Sequence, residues 1–136
     1  MATRVSESIM RTTSEPIADS ARSILDGHVV LDRKLAVIGH YPSIDALSSI
    51  SRIASKVTSA ERRDRASALR KALSARRSAQ DLLDVGAYRR GTNPLVDAAV
   101  DHEDEINAFL QQRMTDQSTS EGAWAALTRL TTLLGA

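Results

Sequence analysis

The sequence predicts a mainly helical domain around one modest core, and three observations carry that reading. From Ser59 onward apolar residues recur at helical spacing, as in Ala66, Leu69 and Leu73, and again in Trp124, Leu127, Leu130, Leu133 and Leu134. Gly27, Gly39, Gly86 and the run Gly91-Thr92-Asn93-Pro94 separate the periodic stretches. The 136 residues, 42% of them hydrophobic, supply one core and do not suggest two.

Taken in order, residues 1–14 (MATRVSESIMRTTS) are polar with isolated apolar positions and read as a loosely ordered lead-in. Order is expected to begin at Glu15-Pro16. Ser14 can cap the segment, Pro16 suits a first helical turn, and Ile17, Ala21, Ile24 and Leu25 share a face. Gly27 is expected to stop that helix. Val29-Val30-Leu31 reads as a short extended piece, followed by a helix over 32–38 that Gly39 ends. The Ser-rich stretch His40 to Lys56, which includes Pro42, reads as an ordered loop with short helical turns.

Ser59 then caps a charged helix whose apolar stripe runs Ala66, Leu69, Leu73, Ala79, Leu82 and Leu83. Gly86 interrupts it, and Pro94 can begin the next helix with Leu95, Ala98 and Ala99. Ile106, Phe109, Leu110 and Met114 form a further stripe, and Trp124, Leu127, Leu130, Leu133 and Leu134 form the last.

Composition narrows the function classes. Cysteine is absent, which removes disulfides and thiolate metal sites, and His28, His40 and His102 are too scattered to read as a metal cluster. Apolar runs fall far short of the roughly 20 residues of a membrane span, so a cytoplasmic protein is expected. The net charge of +1 hides a basic block at 59–96 and an acidic block at 97–136. Such blocks serve a charged partner, a neighbouring subunit, or pairing within the chain. Nucleic acid is disfavoured, because one Phe, two Tyr and one Trp are poor supply for base stacking.

The chain carries no glycine-rich loop ending in Lys and Ser or Thr, so it has no phosphate-binding loop of its own. Arg52, after Ser49-Ile50-Ser51, has two readings: an ordinary salt bridge, or a guanidinium fork directed at a phosphate. Tyr41 also has two, a ring packed in the core or a ring presented to a planar ligand. His28 and His40 read as turn-capping or exposed residues rather than ligands or bases, and Arg89-Arg90 as a solvated pair. Asp101, Glu103, Asp104 and Glu105 are placed to favour a helix start.

The words EPIADSARSILDGHVVLDRKLAVIGHYPSIDALSSISR, DLLDVGAYRRGTNPLVDAAV and INAFLQQ, in this order and spacing, resemble the C-terminal part of the ATPases that energise flagellar and type III secretion export, relatives of the rotary ATP synthase catalytic subunit. The match is close over 15–113 and looser over 120–134. The resemblance implies three parts: an unmatched lead-in (1–14), a C-terminal remnant of the α/β nucleotide-binding domain (15–58), and a helical C-terminal domain (59–136). It also implies that Tyr41, in the YP-x-x-D element, lies against the adenine of a bound nucleotide. Arg52, closing the S-x-S-R element, would reach across a subunit boundary to the neighbour's gamma-phosphate as the catalytic arginine.

ATP and magnesium are implied for the complete family protein, none retained by this chain alone, which is expected not to turn over ATP by itself. Implied partners are neighbouring ATPase subunits, a central coiled-coil stalk protein, and export chaperones or substrates. The implied location is cytoplasmic, at the periphery of the inner-membrane export apparatus. Strands absent from this chain would cover Ile24, Val29, Val30 and Ile44. The alternative from another class is a freestanding helical adaptor that binds an acidic protein or nucleic acid through its basic residues 62–77.

Overall fold

The structure, a computed structural model, describes residues 16, 17 and 19–135. The expected lead-in and the Ser14 cap lie outside the described residues. Residues 19–24 are helical. Two short strands follow at a distance in sequence: β1 (Gly27–His28) pairs antiparallel with β2 (Ile50–Ser51), Gly27 opposite Ser51 and His28 opposite Ile50.

Gly27 therefore does not stop a helix; it sits in a strand. A Cβ there would stand 2.8 Å from the Ile50 carbonyl oxygen, so the requirement is close strand approach. The expected extended piece at 29–31 is displaced in the same direction. Only Leu31 takes part, in an isolated bridge to Ile44.

Between the strands, α1 (Arg33–Val37) starts at Asp32, whose carboxylate accepts from the Lys34 amide, and ends at Gly39 with φ 77°. α2 (Ala54–Val57) leads into the long α3 (Ala60–Asp84). Then come α4 (Pro94–Asp101), α5 (Glu103–Leu110) and α6 (Ser120–Leu133). The larger helices begin where side-chain caps are available: Ser59 accepts from the Arg62 amide, Asn93 from Leu95 with Pro94 behind it, and Thr119 from Gly122. Each cap contributes about 1 kcal/mol.

α3 packs against α4 and α6, and α5 against α6. The core lies in these helices and at the C-cap of α6: Leu69, Ala72, Ala99, Ile106, Leu127, Leu130 and the capping Leu134, flanked by Leu73, Phe109 and Trp124. The stripes are as expected except at their ends. Leu82 and Leu133 are half-exposed. Leu133 lies one position from Leu134, a turn of about 100° off the buried face. Met114 is fully exposed, because the chain leaves the helical path at Gln111, where φ −102° and ψ 146° are extended. Hydrogen bonds from Gln111 and Gln112 to His40 and Tyr41 hold that departure.

The charge blocks pair with each other across the surface of the bundle. Arg62 holds both oxygens of Glu121 at 2.8 and 2.6 Å and lies 5.2 Å from the centre of the Trp124 ring. Arg76 pairs with Glu103, and Arg90 with Asp101, so Arg90 is not merely solvated. Asp101 correspondingly closes α4, and it is Glu103, Asp104 and Glu105 that occupy the first turn of α5.

Candidate functional site

Among the described residues ahead of Ser59 no apolar side chain is buried: Ile24 is 82% exposed, Val29 66% and Val37 78%. Among the described residues of that part, the two buried ones are both polar, His40 and Asp45. They bracket the start of the loop that runs from Tyr41 to Arg52, and side chains of the helical bundle hold them.

Asp45 is the hub. Its carboxylate accepts from the Leu47 amide (3.0 Å), the Ser48 amide (3.2 Å) and the Ser48 hydroxyl (2.6 Å), a side-chain-made turn of the kind Asp favours. Arg77 of α3 adds a fork, with Nη2 2.8 Å from Oδ1 and Nη1 3.2 Å from Oδ2. The Arg77 guanidinium holds the Asp45 carboxyl far below the usual carboxylate range; burial opposes this, and the Ser48 and Leu47 donors assist. Ser49 ties the turn back to the chain, its hydroxyl donating to the Asp45 carbonyl and accepting from the Val30 amide.

Arg70, two helical turns before Arg77 on α3, donates to the carbonyls of Ala46 (2.6 Å) and Leu47 (2.9 Å). At the other end of the loop, the Gln112 amide donates to the Tyr41 carbonyl (2.9 Å), and Gln111 Nε2 lies 3.3 Å from His40 Nδ1. His40 caps the end of α1 through its amide, which donates to the Leu35 carbonyl (2.9 Å), but at 8% exposure it is not a surface residue. Burial follows from its place between α1 and the end of α5.

Tyr41 is 57% exposed, so its ring does not enter the core, and its peptide bond to Pro42 is cis. Arg52 follows β2, with its amide donating 2.7 Å to the Asp26 carbonyl and its side chain exposed. Among the described residues no carboxylate pairs with Arg52. It lines an open cleft of about 590 Å³ with Asp19, Arg22, Ser23, His28 and Ser48. Asp19, the carboxylate lining that cleft, is paired with Arg22 at 3.2 Å. Tyr41 does not line that cleft. The structure thus places the two residues at opposite ends of one braced loop, not in one pocket.

Sequence reasoning passed over Asp45, Arg70 and Arg77. The signal was present in Asp45-Ala46-Leu47-Ser48-Ser49, an Asp able to accept from the amides two and three positions on, and in the two-turn spacing of the arginines.

The family model of the C-terminal domain of the type III secretion EscN ATPase matches residues 58–129, and that of the ATP synthase alpha/beta nucleotide-binding domain matches residues 8–51. The chain belongs to the type III secretion and flagellar ATPase family. It is 45% identical over 121 residues to the type 3 secretion system ATPase of Pseudomonas savastanoi pv. phaseolicola, covering 89% of this chain and 27% of the relative. With the flagellum-specific ATP synthase of Bacillus subtilis the identity is 42% over 118 residues, 87% of this chain and 27% of the relative. Among solved structures, the assembled EscN ATPase of enteropathogenic E. coli in complex with its central stalk EscO superposes with a TM-score of 0.80 at 35% identity, over 85% of this chain and 29% of that one. The chain therefore spans about 27% of the length of the curated export ATPases it matches.

The family also accounts for the fold: a mainly helical C-terminal domain preceded by the end of an α/β nucleotide-binding domain. Among the described residues no helix is long and apolar enough to cross a membrane. The basic run on α3, the surface an adaptor would use, is engaged internally at Arg62, Arg63, Arg70, Arg76 and Arg77.

Proposed function

We propose that these residues form the C-terminal part of a subunit of a hexameric export ATPase, with residues 15–58 completing its nucleotide-binding domain and 59–136 its helical domain. In this reading Tyr41 lies against the adenine of bound ATP, and Arg52 reaches the gamma-phosphate held by a neighbouring subunit. The observation that carries it is Arg52 itself, exposed on a fixed backbone after β2 and without a carboxylate partner among the described residues. A guanidinium so placed offers its fork of donors to an incoming phosphate. Charge develops on the phosphoryl group during transfer, and an arginine supplied in trans stabilises it, an effect worth ~10³–10⁵ in rate.

The phosphates and magnesium would be held by residues outside these 136, since the sequence has no phosphate-binding loop. The helical domain would meet the central stalk and export chaperones or substrates, at the cytoplasmic periphery of the export apparatus. The assembled relative bound to EscO supports the stalk assignment.

The test is a complete ring subunit in which this chain replaces the aligned 118 residues of the Bacillus subtilis relative. Arg52→Ala should lower turnover by about 10³ with nucleotide affinity kept, and Tyr41→Ala should weaken nucleotide binding. Normal turnover in an assembled Arg52→Ala ring sinks the proposal.

A further inference from the structure

We infer that Arg77, seconded by Arg70, is a positioning residue for the nucleotide site, acting through the Asp45 turn on the loop that ends in Arg52. The inference rests on the proposed role of Arg52 and adds to it residues from α3, a helix that lies outside the matched nucleotide-binding segment.

The geometry is that of a two-point brace. Arg70 and Arg77 reach from α3 to four of the five loop residues 45–49. Arg77 takes both oxygens of Asp45, and Arg70 takes the carbonyls of Ala46 and Leu47, with Ser49 O at 3.4 Å. Ser48 closes on Asp45 from within, and Ser49 joins the turn to Val30, beside β1. Three residues after Ser49 comes Arg52, whose amide is fixed to Asp26 just before β1. The backbone that aims the Arg52 side chain is thus supported from two directions, by the strand pair and by α3. An arginine that must meet a phosphate on another subunit gains from such support, since a misplacement of about 1 Å can cost ~10²-fold in rate.

Arg77 touches no proposed ligand position, so its effect has to pass through Arg52. That gives the inference a signature that loss of general stability lacks. If Arg77 works by placing Arg52, its removal matters only while Arg52 is present.

The experiment is a double-mutant cycle in the same complete ring, with ring assembly checked by light scattering and turnover measured per assembled ring. Arg77→Gln should lower kcat by about tenfold with Arg52 present and change it by less than about twofold in the Arg52→Ala background. Arg77→Lys, which keeps the charge but loses the fork, should fall between wild type and Gln; it carries the same cycle if the Gln ring does not assemble. Equal fold-losses in the two backgrounds, or an unchanged kcat in Arg77→Gln or Arg77→Lys, overturn the positioning role. The proposed function fails separately, when Arg52→Ala alone leaves turnover intact.

Discussion

Arg77 on α3 places both terminal nitrogens on the Asp45 carboxylate, at 2.8 and 3.2 Å, across 32 positions of sequence. Asp45 is 8% exposed while the Arg77 side chain is more than half exposed, so the carboxylate is shielded and solvent reaches the pair from the arginine side. A buried carboxylate is tolerated only with partners of this kind, and here four donor groups converge on two oxygens. The ion pair is at once what lets Asp45 be buried and what fastens the loop to the bundle.

Stability should follow the ionisation of Asp45. Its carboxyl is depressed in the folded chain, so the contribution is complete above the unfolded Asp value of about 3.9 and fades as pH falls toward the lower folded value. Asp45→Asn should cost about 1.5–3 kcal/mol at pH 7, the range for hydrogen bonds to charged groups. Melts of both proteins from pH 7 to pH 3 should show the gap constant down to about pH 4 and narrowing below it. A gap that stays the same at pH 3, or widens, contradicts the assignment.

The buried face of α6 makes a second contrast. Leu130 is 4% exposed and Leu133 is 51% exposed. Leu130→Ala should cost about 2–5 kcal/mol through lost contacts and the cavity left behind. Leu133→Ala should cost under about 1 kcal/mol. Chemical denaturation of the two variants decides it, and similar losses would mean that α6 is rotated relative to the core described.

The helical part was legible because its signals are local: the Ser59 cap, the helix start at Pro94, the stop at Gly86, and stripes such as Leu127, Leu130 and Leu134. Signals from tertiary hydrogen bonding were not legible. Gly27 looked like a helix stop, because nothing in the neighbouring residues shows that Ile50 passes 2.8 Å from its missing Cβ. His40 reads as a turn-capping or exposed residue and Asp45 shows no sign of burial, since their burial depends on Gln111 and Arg77, 71 and 32 positions away. Tyr41 and Arg52 stood out in the sequence for the opposite reason: they belong to short words whose residue order is itself the signal. Asp45 closes one of those words, YP-x-x-D, but nothing in the sequence joins that element to Arg70 and Arg77 on α3.

A last prediction separates the two arginines of the loop system by what they do for this chain alone. Arg52 has an exposed side chain with no carboxylate partner among the described residues, whereas Arg77 satisfies a buried carboxylate. Arg52→Ala should therefore move the unfolding free energy of the 136-residue chain by no more than about 0.5 kcal/mol, as surface substitutions usually do. Arg77→Gln should cost about 1–3 kcal/mol, because it leaves Asp45 buried with its strongest donor removed. A structural salt bridge at Arg52 would reverse the first result and cost more than about 1 kcal/mol. Parallel melts of the two variants at pH 7 read the difference directly. Should Arg52→Ala destabilise the chain as much as Arg77→Gln does, Arg52 is bound within its own chain, and its guanidinium is not free to meet a neighbour's phosphate.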